Sequence, residues 1–309
     1  MDCKKSYTLF HSNFDISVIY IPIFLNKTDI NHRAAKVLFC KFADQIIKNC
    51  FQFNIHKSIF IMLDTIFNHK SIRNYKSDPV SEKDLQEILE AGTRASTTGN
   101  MQIYSIVVTR DEEMKKKLAP THFNQPMATK APVVLTFCAD INRFNKWCEN
   151  RKAEPGYDNF LWFTNAVIDA MLVAQNCCIA AEDKGLGICY LGTTTYTADK
   201  IIDILELPKG VIPITTVVVG HPDEEPGLTD RLPLEGVVHY ETYKDYSNAD
   251  IDRLYTEKEE LESTKALLEE NEKETLAQIF TENRYKKADN LHFSKVFLYV
   301  VKKQGFFNQ

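Results

Sequence analysis

Residues 1–61 hold no glycine, no glutamate and a single proline, Pro22. The first glutamate of the 309-residue chain is Glu82. Phe, Ile, Asn and Lys crowd this lead segment, and its eight Lys and Arg face four Asp. The net charge of −5 on the whole chain therefore leaves −9 on the remainder. Normal domain composition starts near Met62, so a functional domain is expected over residues 62–245. Residues 1–61 are then an N-terminal extension, either an accessory arm or the product of a start codon placed too early. Within them "HRAAKVLFCKFADQIIKNCF" has the apolar spacing of an amphipathic helix. A secretory signal is not expected. "ISVIYIPIFL" is apolar, but it follows His11 and Asp15, is broken by Pro22, and precedes no small-residue cleavage motif.

Other absences narrow the chemistry. The eight cysteines include no Cys-x-x-Cys pair, and Cys177 and Cys178 are adjacent, poor spacing for a disulfide framework or a zinc site. Several lie in apolar runs, where a reduced thiol packs as a small hydrophobe. A reducing, cytoplasmic setting is expected. No metal site is expected, because the histidines lack a spacing such as HExxH. No excess of basic residues marks a nucleic-acid partner. No stretch approaches the about 20 apolar residues that span a bilayer, so no membrane partner is expected. A Walker A loop and a G-x-S-x-G elbow are missing. Gly185 and Gly187 follow a helix and lead into a strand, the reverse of a dinucleotide-binding fingerprint.

What is present reads as alternating helices and strands. Ser81 caps "SEKDLQEILEAGTRA", with Asp84 three residues on and Leu85, Ile88 and Leu89 at helical spacing. "IYSIVVTR" is a strand and "EEMKKKLAP" a short helix stopped by Pro120. "APVVLTFCAD" is a strand of the kind buried on both faces. The helix from Asn159 to Lys184 is apolar nearly all round, as in a central buried helix or a dimer interface. "ICYLG" follows as a strand, then a helix capped by Thr197, then the strand "IPITTVVVGHP". From about residue 245 the chain is charged and helical, and "HFSKVFLYVVKKQGFF" docks back. The order implies an α+β or α/β layer with a mixed sheet.

Five constellations are candidates for chemistry, and each has a plainer reading. "HKSIR" at 69–73 offers cations and a hydroxyl to a phosphate, or is a solvated basic loop. "ASTTGNMQ" at 95–102 offers hydroxyls and amides, or is a turn. In "HFNQPM", Asn124 and Gln125 present paired donors and acceptors, or simply precede Pro126. Gly192, after its strand, exposes backbone N–H groups. Arg231, between two Pro-containing turns, is a cation held for a phosphate or a surface ion pair.

Together and in this order, the five pieces resemble the nitroreductase family of FMN-dependent oxidoreductases, in its oxygen-insensitive, NADPH-preferring branch. The resemblance runs from about Met62 to Pro233, and more loosely to "KKQGF". It implies an α+β, three-layer fold: a central mixed, mostly antiparallel sheet flanked by helices, with residues 246–309 a helical extension. It implies FMN as cofactor, NADPH or NADH as co-substrate, a small-molecule electron acceptor, and a homodimer with both sites at the interface. Carried over by position, His69 and Ser71 meet the FMN phosphate and ribityl chain, with Lys70 in the same loop. Arg73 faces the pyrimidine edge, where a cation stabilises charge on the reduced ring. Ser96, Thr97, Asn100 and Gln102 form the polar loop, the last near the partner's flavin. Asn124 and Gln125 form the Asn-Gln turn. Tyr190, Leu191, Gly192 and Thr193 form the turn whose amides meet flavin N5. Arg231 belongs to the phosphate clamp. The sequence departs from the family at two points. Thr229, with Asp230 beside it, stands at the clamp lysine, so one cation is lost and an anion gained. Thr193 stands at the second glycine of the turn and narrows the space there.

The expected activity is ping-pong transfer of hydride from NAD(P)H through flavin to nitroaromatics, quinones or similar acceptors. No side chain need act as a general base, because the flavin carries the chemistry. Two alternatives stay open: flavin reduction or reductive dehalogenation on the same fold, and a non-catalytic FMN-binding redox sensor. A lid is expected within 142–160, where Trp147 and Tyr157 stack on substrate or merely pack. Arg143, Lys146, Arg151 and Lys152 bear on the choice of nicotinamide.

Overall fold

The structure, a computed structural model, describes residues 63–309. The chain divides into two units, Met1–Lys57 and Ser58–Gln309. The amphipathic pattern at 32–51 and the apolar stretch at 16–25 lie outside the described residues.

Four strands form one sheet: β1 (Tyr104–Thr109), β2 (Val133–Asp140), β3 (Gly187–Leu191) and β4 (Val211–Gly220), in the order β1-β2-β4-β3. Every neighbouring pair is antiparallel, with Val107 opposite Thr136, Leu135 opposite Val217 and Cys189 opposite Val218. Among the described residues, parallel pairing is confined to one isolated bridge, Ser71 with Ile188. The expected mostly antiparallel sheet is thus found, with every pairing between its four strands antiparallel. All residues of β2 and β4 are buried, as their unbroken apolar runs require when both faces are covered. Pro213 interrupts β4 where the register shifts opposite Phe137 and Cys138. A bulge is where a central strand tolerates a residue without an N–H.

The helix α1 (Glu82–Thr93) starts at Ser81, whose hydroxyl accepts from the Asp84 N–H at 3.0 Å. Its Leu85 and Ile88 pack with Val173, Cys177 and Ala181 of α5 against Leu135 and Val217 of the sheet. The helix α2 (Glu112–Leu118) tightens into a 3₁₀ turn, Ala119–His122, containing Pro120. Then come α3 (Met127–Lys130), α4 (Asn142–Asn150) and α5 (Phe160–Asp183), the last capped by the Asn159 side chain. The helix α4 occupies part of the segment read as a lid. By length and composition α5 is long and apolar enough to cross a membrane, which corrects the expectation that no stretch approaches that length. Here it is a core helix: Phe163, Ala166, Ala170, Val173, Ala174, Cys177 and Ala181 are buried.

A 3₁₀ turn, Thr194–Thr197, leads into α6 (Ala198–Ile204). Thr197 does not cap it. Its hydroxyl donates instead to the Thr121 carbonyl at 2.7 Å. The C-terminal region holds α7 (Asn248–Glu260), α8 (Glu262–Asn271), α9 (Leu276–Gln278), a π turn and α10 (Lys287–Lys303). Val300, Val301 and Phe306 pack with Phe163, Ala198 and Ile212, so the segment expected to dock back is part of the core.

Candidate functional site

The segment after residue 68 runs along the β3 edge. Ile72 donates its N–H to the Ile188 carbonyl at 2.8 Å, beside the Ser71–Ile188 bridge. Gly187 makes this approach possible, since a Cβ there would lie 2.6 Å from Ile72 Cγ1. The Tyr75 hydroxyl donates to the Ile72 carbonyl and Tyr75 bridges Pro222, which fixes the far end. Burial pushes the Tyr75 phenol well above its usual range, so it stays a neutral donor.

Three carboxylates face this cationic loop. His69 Nδ1 donates to Glu182 at 2.6 Å, and Lys70 pairs with Glu225. Burial raises the Glu182 carboxyl, partly opposed by that histidine. Glu224 accepts from the backbone N–H groups of Arg73 and Asn74 and from the Asn74 amide. These bonds hold the Glu224 carboxyl below the usual range. Lys70 faces a cleft of 240 Å³ that Glu182 and Glu225 also line. Glu225 is 83% exposed, so its pair with Lys70 is of the exposed class worth about 0–1 kcal/mol and yields readily to a dianion. The Arg73 guanidinium has no ion pair among the described residues, only a long contact to the Ser71 carbonyl at 3.5 Å. It lies near Cys189, whose thiol burial raises and Arg73 lowers.

The end of β3 carries the turn. The Tyr190 hydroxyl donates to Gln175 of α5 at 3.3 Å, and burial raises its phenol. Leu191 is buried and Gly192 exposed, and a Cβ on Gly192 would meet nothing within 4 Å. Space is therefore open above this turn. Thr193 is buried, its Oγ1 3.0 Å from His122 Nδ1. That contact, with the Thr197 to Thr121 bond, brings the Asn124–Gln125 loop beside the turn. Phe123 and Asn124 are both left-handed, at φ 53°. Phe123 is 52% exposed and lies against Tyr196 and Phe293, themselves stacked 4.5 Å apart.

The polar loop is organised by a residue that its own sequence does not reveal. Asp169 is fully buried in α5. Its carboxylate accepts from the Thr98 N–H at 2.9 Å, the Thr98 hydroxyl at 3.3 Å and the Ile103 N–H at 3.3 Å. It thus grips both ends of a loop in which Gly99, Asn100 and Gln102 are left-handed. The available signal was a lone carboxylate in an otherwise apolar helix, the only charge between Asp158 and Glu182. Arg143 donates to the Gln102 and Tyr104 carbonyls, bracing the same loop. Trp147 is exposed and packs on Phe144, which meets Tyr157 edge-on.

These groups do not all converge within one chain. His69, Ser71, Arg73 and the 190–193 turn share the β3 edge, with Asn124 and Gln125 beside the turn. Ser96, Thr97, Asn100 and Gln102 cluster instead at Asp169. Asp169 and Glu182 lie 13 positions apart on α5, about 20 Å along the axis. Among the described residues no hydrogen bond or ring contact joins that loop to 69–73 or to the turn. Arg231 also stands apart, bonded among the described residues only to Thr229 and the Asp230 carbonyl of its own loop. Asp230 is matched by a cation from α7: Lys258 Nζ donates to it at 2.5 Å and holds its carboxyl below the usual range.

An α+β core of four antiparallel strands, with cationic and amide-bearing loops at one strand end, defines a class of small-ligand-binding fold. A sequence model of the Nitroreductase family matches residues 66–221, and the chain belongs to that family. It is 36% identical over 183 residues to a Bacillus subtilis FMN reductase (NADPH), covering 59% of this chain and 74% of the relative. A Bacteroides fragilis crystal structure is similar at 55% identity and a TM-score of 0.78, over 79% of this chain and all of that one. The Bacillus subtilis NfrA1 nitroreductase is similar at 30% identity and a TM-score of 0.71, over 80% of this chain and all of that one.

Proposed function

We propose that the protein is an FMN-dependent NAD(P)H oxidoreductase whose two sites lie between two copies of the chain. One observation carries the reading. In a chain of this family, the Arg73 loop and the open Gly192–Thr193 turn lie along one strand, an unpaired guanidinium beside space for a planar ring. The residues fit FMN. His69, Ser71 and Lys70 offer N–H and O–H donors to a phosphate and its sugar chain, the Lys70 pair with Glu225 opening to admit it. Ser96, Thr97, Asn100 and Gln102 reach a ring held by the other protomer. Asn124 and Gln125 meet the edge beside the turn. Arg231, with Asp230 neutralised by Lys258, completes the anion clamp.

Bound FMN supplies hydride transfer from a nicotinamide to an acceptor. The chain's own contribution is binding and electrostatics. Arg73 places a fixed positive charge where reduction adds negative charge. The backbone N–H groups at Gly192 and Thr193 are donors to the ring edge. One slot serves nicotinamide and acceptor in turn, a ping-pong cycle. The exposed Phe123, on the stacked Tyr196–Phe293 pair, favours planar aromatic acceptors such as nitroaromatics and quinones. Two copies are supported by one face of α5, where Leu161, Ile168, Met171 and Leu172 are exposed. Five free thiols among the described residues, all buried, support a cytoplasmic setting. The reading gives residues 62–245 as the catalytic domain, residues 1–61 as an accessory arm and residues 246–309 as its helical extension.

The test is spectral. Purified protein titrated with FMN is expected to turn yellow stoichiometrically and to bleach without oxygen on addition of NADPH or NADH. Folded protein that refuses FMN ends this reading; bound flavin that never bleaches leaves a binding role.

A further inference from the structure

His122 is a histidine without enough partners. It is 1% exposed, its Nδ1 lies 3.0 Å from Thr193 Oγ1, and its Nε2 is buried with no hydrogen-bond partner among the described residues. Burial lowers its pKa to about 4, so the ring is neutral at neutral pH, with one N–H and one lone pair. The proton therefore has two places to sit. On Nε2 it is a stranded buried donor, which folded proteins very rarely tolerate. On Nδ1 it donates to Thr193, and only an acceptor lone pair goes unmet, the milder defect. The Nδ1–H form is favoured.

That choice settles the direction of the next bond. Thr193 Oγ1 accepts from His122, so its own hydrogen must find an acceptor elsewhere. The Thr193 carbonyl is engaged by the Tyr196 N–H at 3.0 Å and the Thr197 hydroxyl at 3.5 Å. The Thr193 hydroxyl has no second partner among the described residues. Thr193 retains 7% exposure, and the space beside Gly192 is open.

We propose that the Thr193 hydroxyl, its oxygen held by His122, donates its hydrogen to a ligand at the Gly192–Thr193 turn, meeting an acceptor nitrogen or carbonyl oxygen on the rim of a flavin ring. The inference rests on the FMN reading above and adds a side-chain donor to the two backbone N–H groups. Thr193 is then more than a bulkier occupant of a glycine position. His122 is a positioning residue, acting through Thr193.

The experiment uses the full-length holoprotein and three single variants: Thr193→Val, Thr193→Ser and His122→Phe. FMN dissociation constants come from fluorescence titration, and midpoint potentials of the bound flavin from spectroelectrochemistry. Thr193→Val is expected to weaken FMN about five- to tenfold. It also shifts the ratio of oxidised to reduced binding constants about tenfold, or about 30 mV for two electrons. Thr193→Ser retains wild-type values. His122→Phe moves the potential in the same direction, and adding it to Thr193→Val moves it little further, because both act on one bond. Folded Thr193→Val protein with affinity and potential within twofold of wild type overturns the proposal and leaves the FMN reading standing. So do fully additive shifts in the double variant. Wild-type protein that binds no FMN removes both.

Discussion

His122 also reports on stability. Its folded pKa is about 4 against an unfolded value near 6.5. Between those values the unfolded chain holds a proton that the folded chain does not, so stability rises with pH across the window. Folding is expected to weaken by about 3 kcal/mol as pH falls from about 6.5 to about 4. Denaturant unfolding of wild type and His122→Phe at several pH values checks this. The slope should flatten in the variant, and equal slopes would remove His122 as its source. Arg73 is a test of electrostatics instead. Its side chain is exposed and makes no ion pair among the described residues, so Arg73→Ala should leave the melting temperature unchanged. Stopped-flow reduction by NADPH should slow about tenfold, as loss of one fixed charge beside developing charge implies.

Among elements, α7 contributes something that its own sequence does not announce. Lys258 reaches Asp230 from 28 positions away and offsets its negative charge, leaving the cation absent at Thr229 unreplaced. Lys258→Ala should raise the FMN dissociation constant about three- to tenfold at low salt, and less at high salt because the effect is screened. An unchanged constant would detach this loop from the anion. The pairing also shows what kind of information sequence reading carries. All four strands and the α1, α5 and α10 helices were legible, because long apolar runs and a Ser81 cap are local signals. The antiparallel pairing came from the family resemblance and not from the strands themselves, since parallel and antiparallel buried strands have the same apolar runs. Nor was α4 read as a helix, although "NRFNKWCEN" carries Phe144, Trp147 and Cys148 at helical spacing, because the segment is short and otherwise polar. The candidate loops were legible by residue type. Their partners were not: Glu182 lies 113 positions from His69, Glu225 155 from Lys70 and Asp169 71 from Thr98. Such pairs are set by packing, and only the folded chain displays them.

For the whole molecule, the question is what covers the outer face of α5. Ile168, Met171 and Leu172 are 49%, 38% and 45% exposed, a row a second copy would bury. Met171→Glu is expected to give monomers in sedimentation velocity at micromolar concentration, with the secondary structure intact. A dimer of wild-type stability would move the interface elsewhere. A chain beginning at Met62 should melt within a few degrees of the full-length protein and bind FMN equally, since the described core is built from residues after that point. Failure to fold would make residues 1–61 part of the domain. The Asp169 clamp has one more consequence. The helix that presents the outer apolar row also anchors the loop that, on the function proposed above, reaches the neighbouring copy's ring. Assembly and cofactor retention are then a single equilibrium governed by mass action. Diluting the yellow protein far enough should release its colour, and excess FMN should drive dispersed subunits back together.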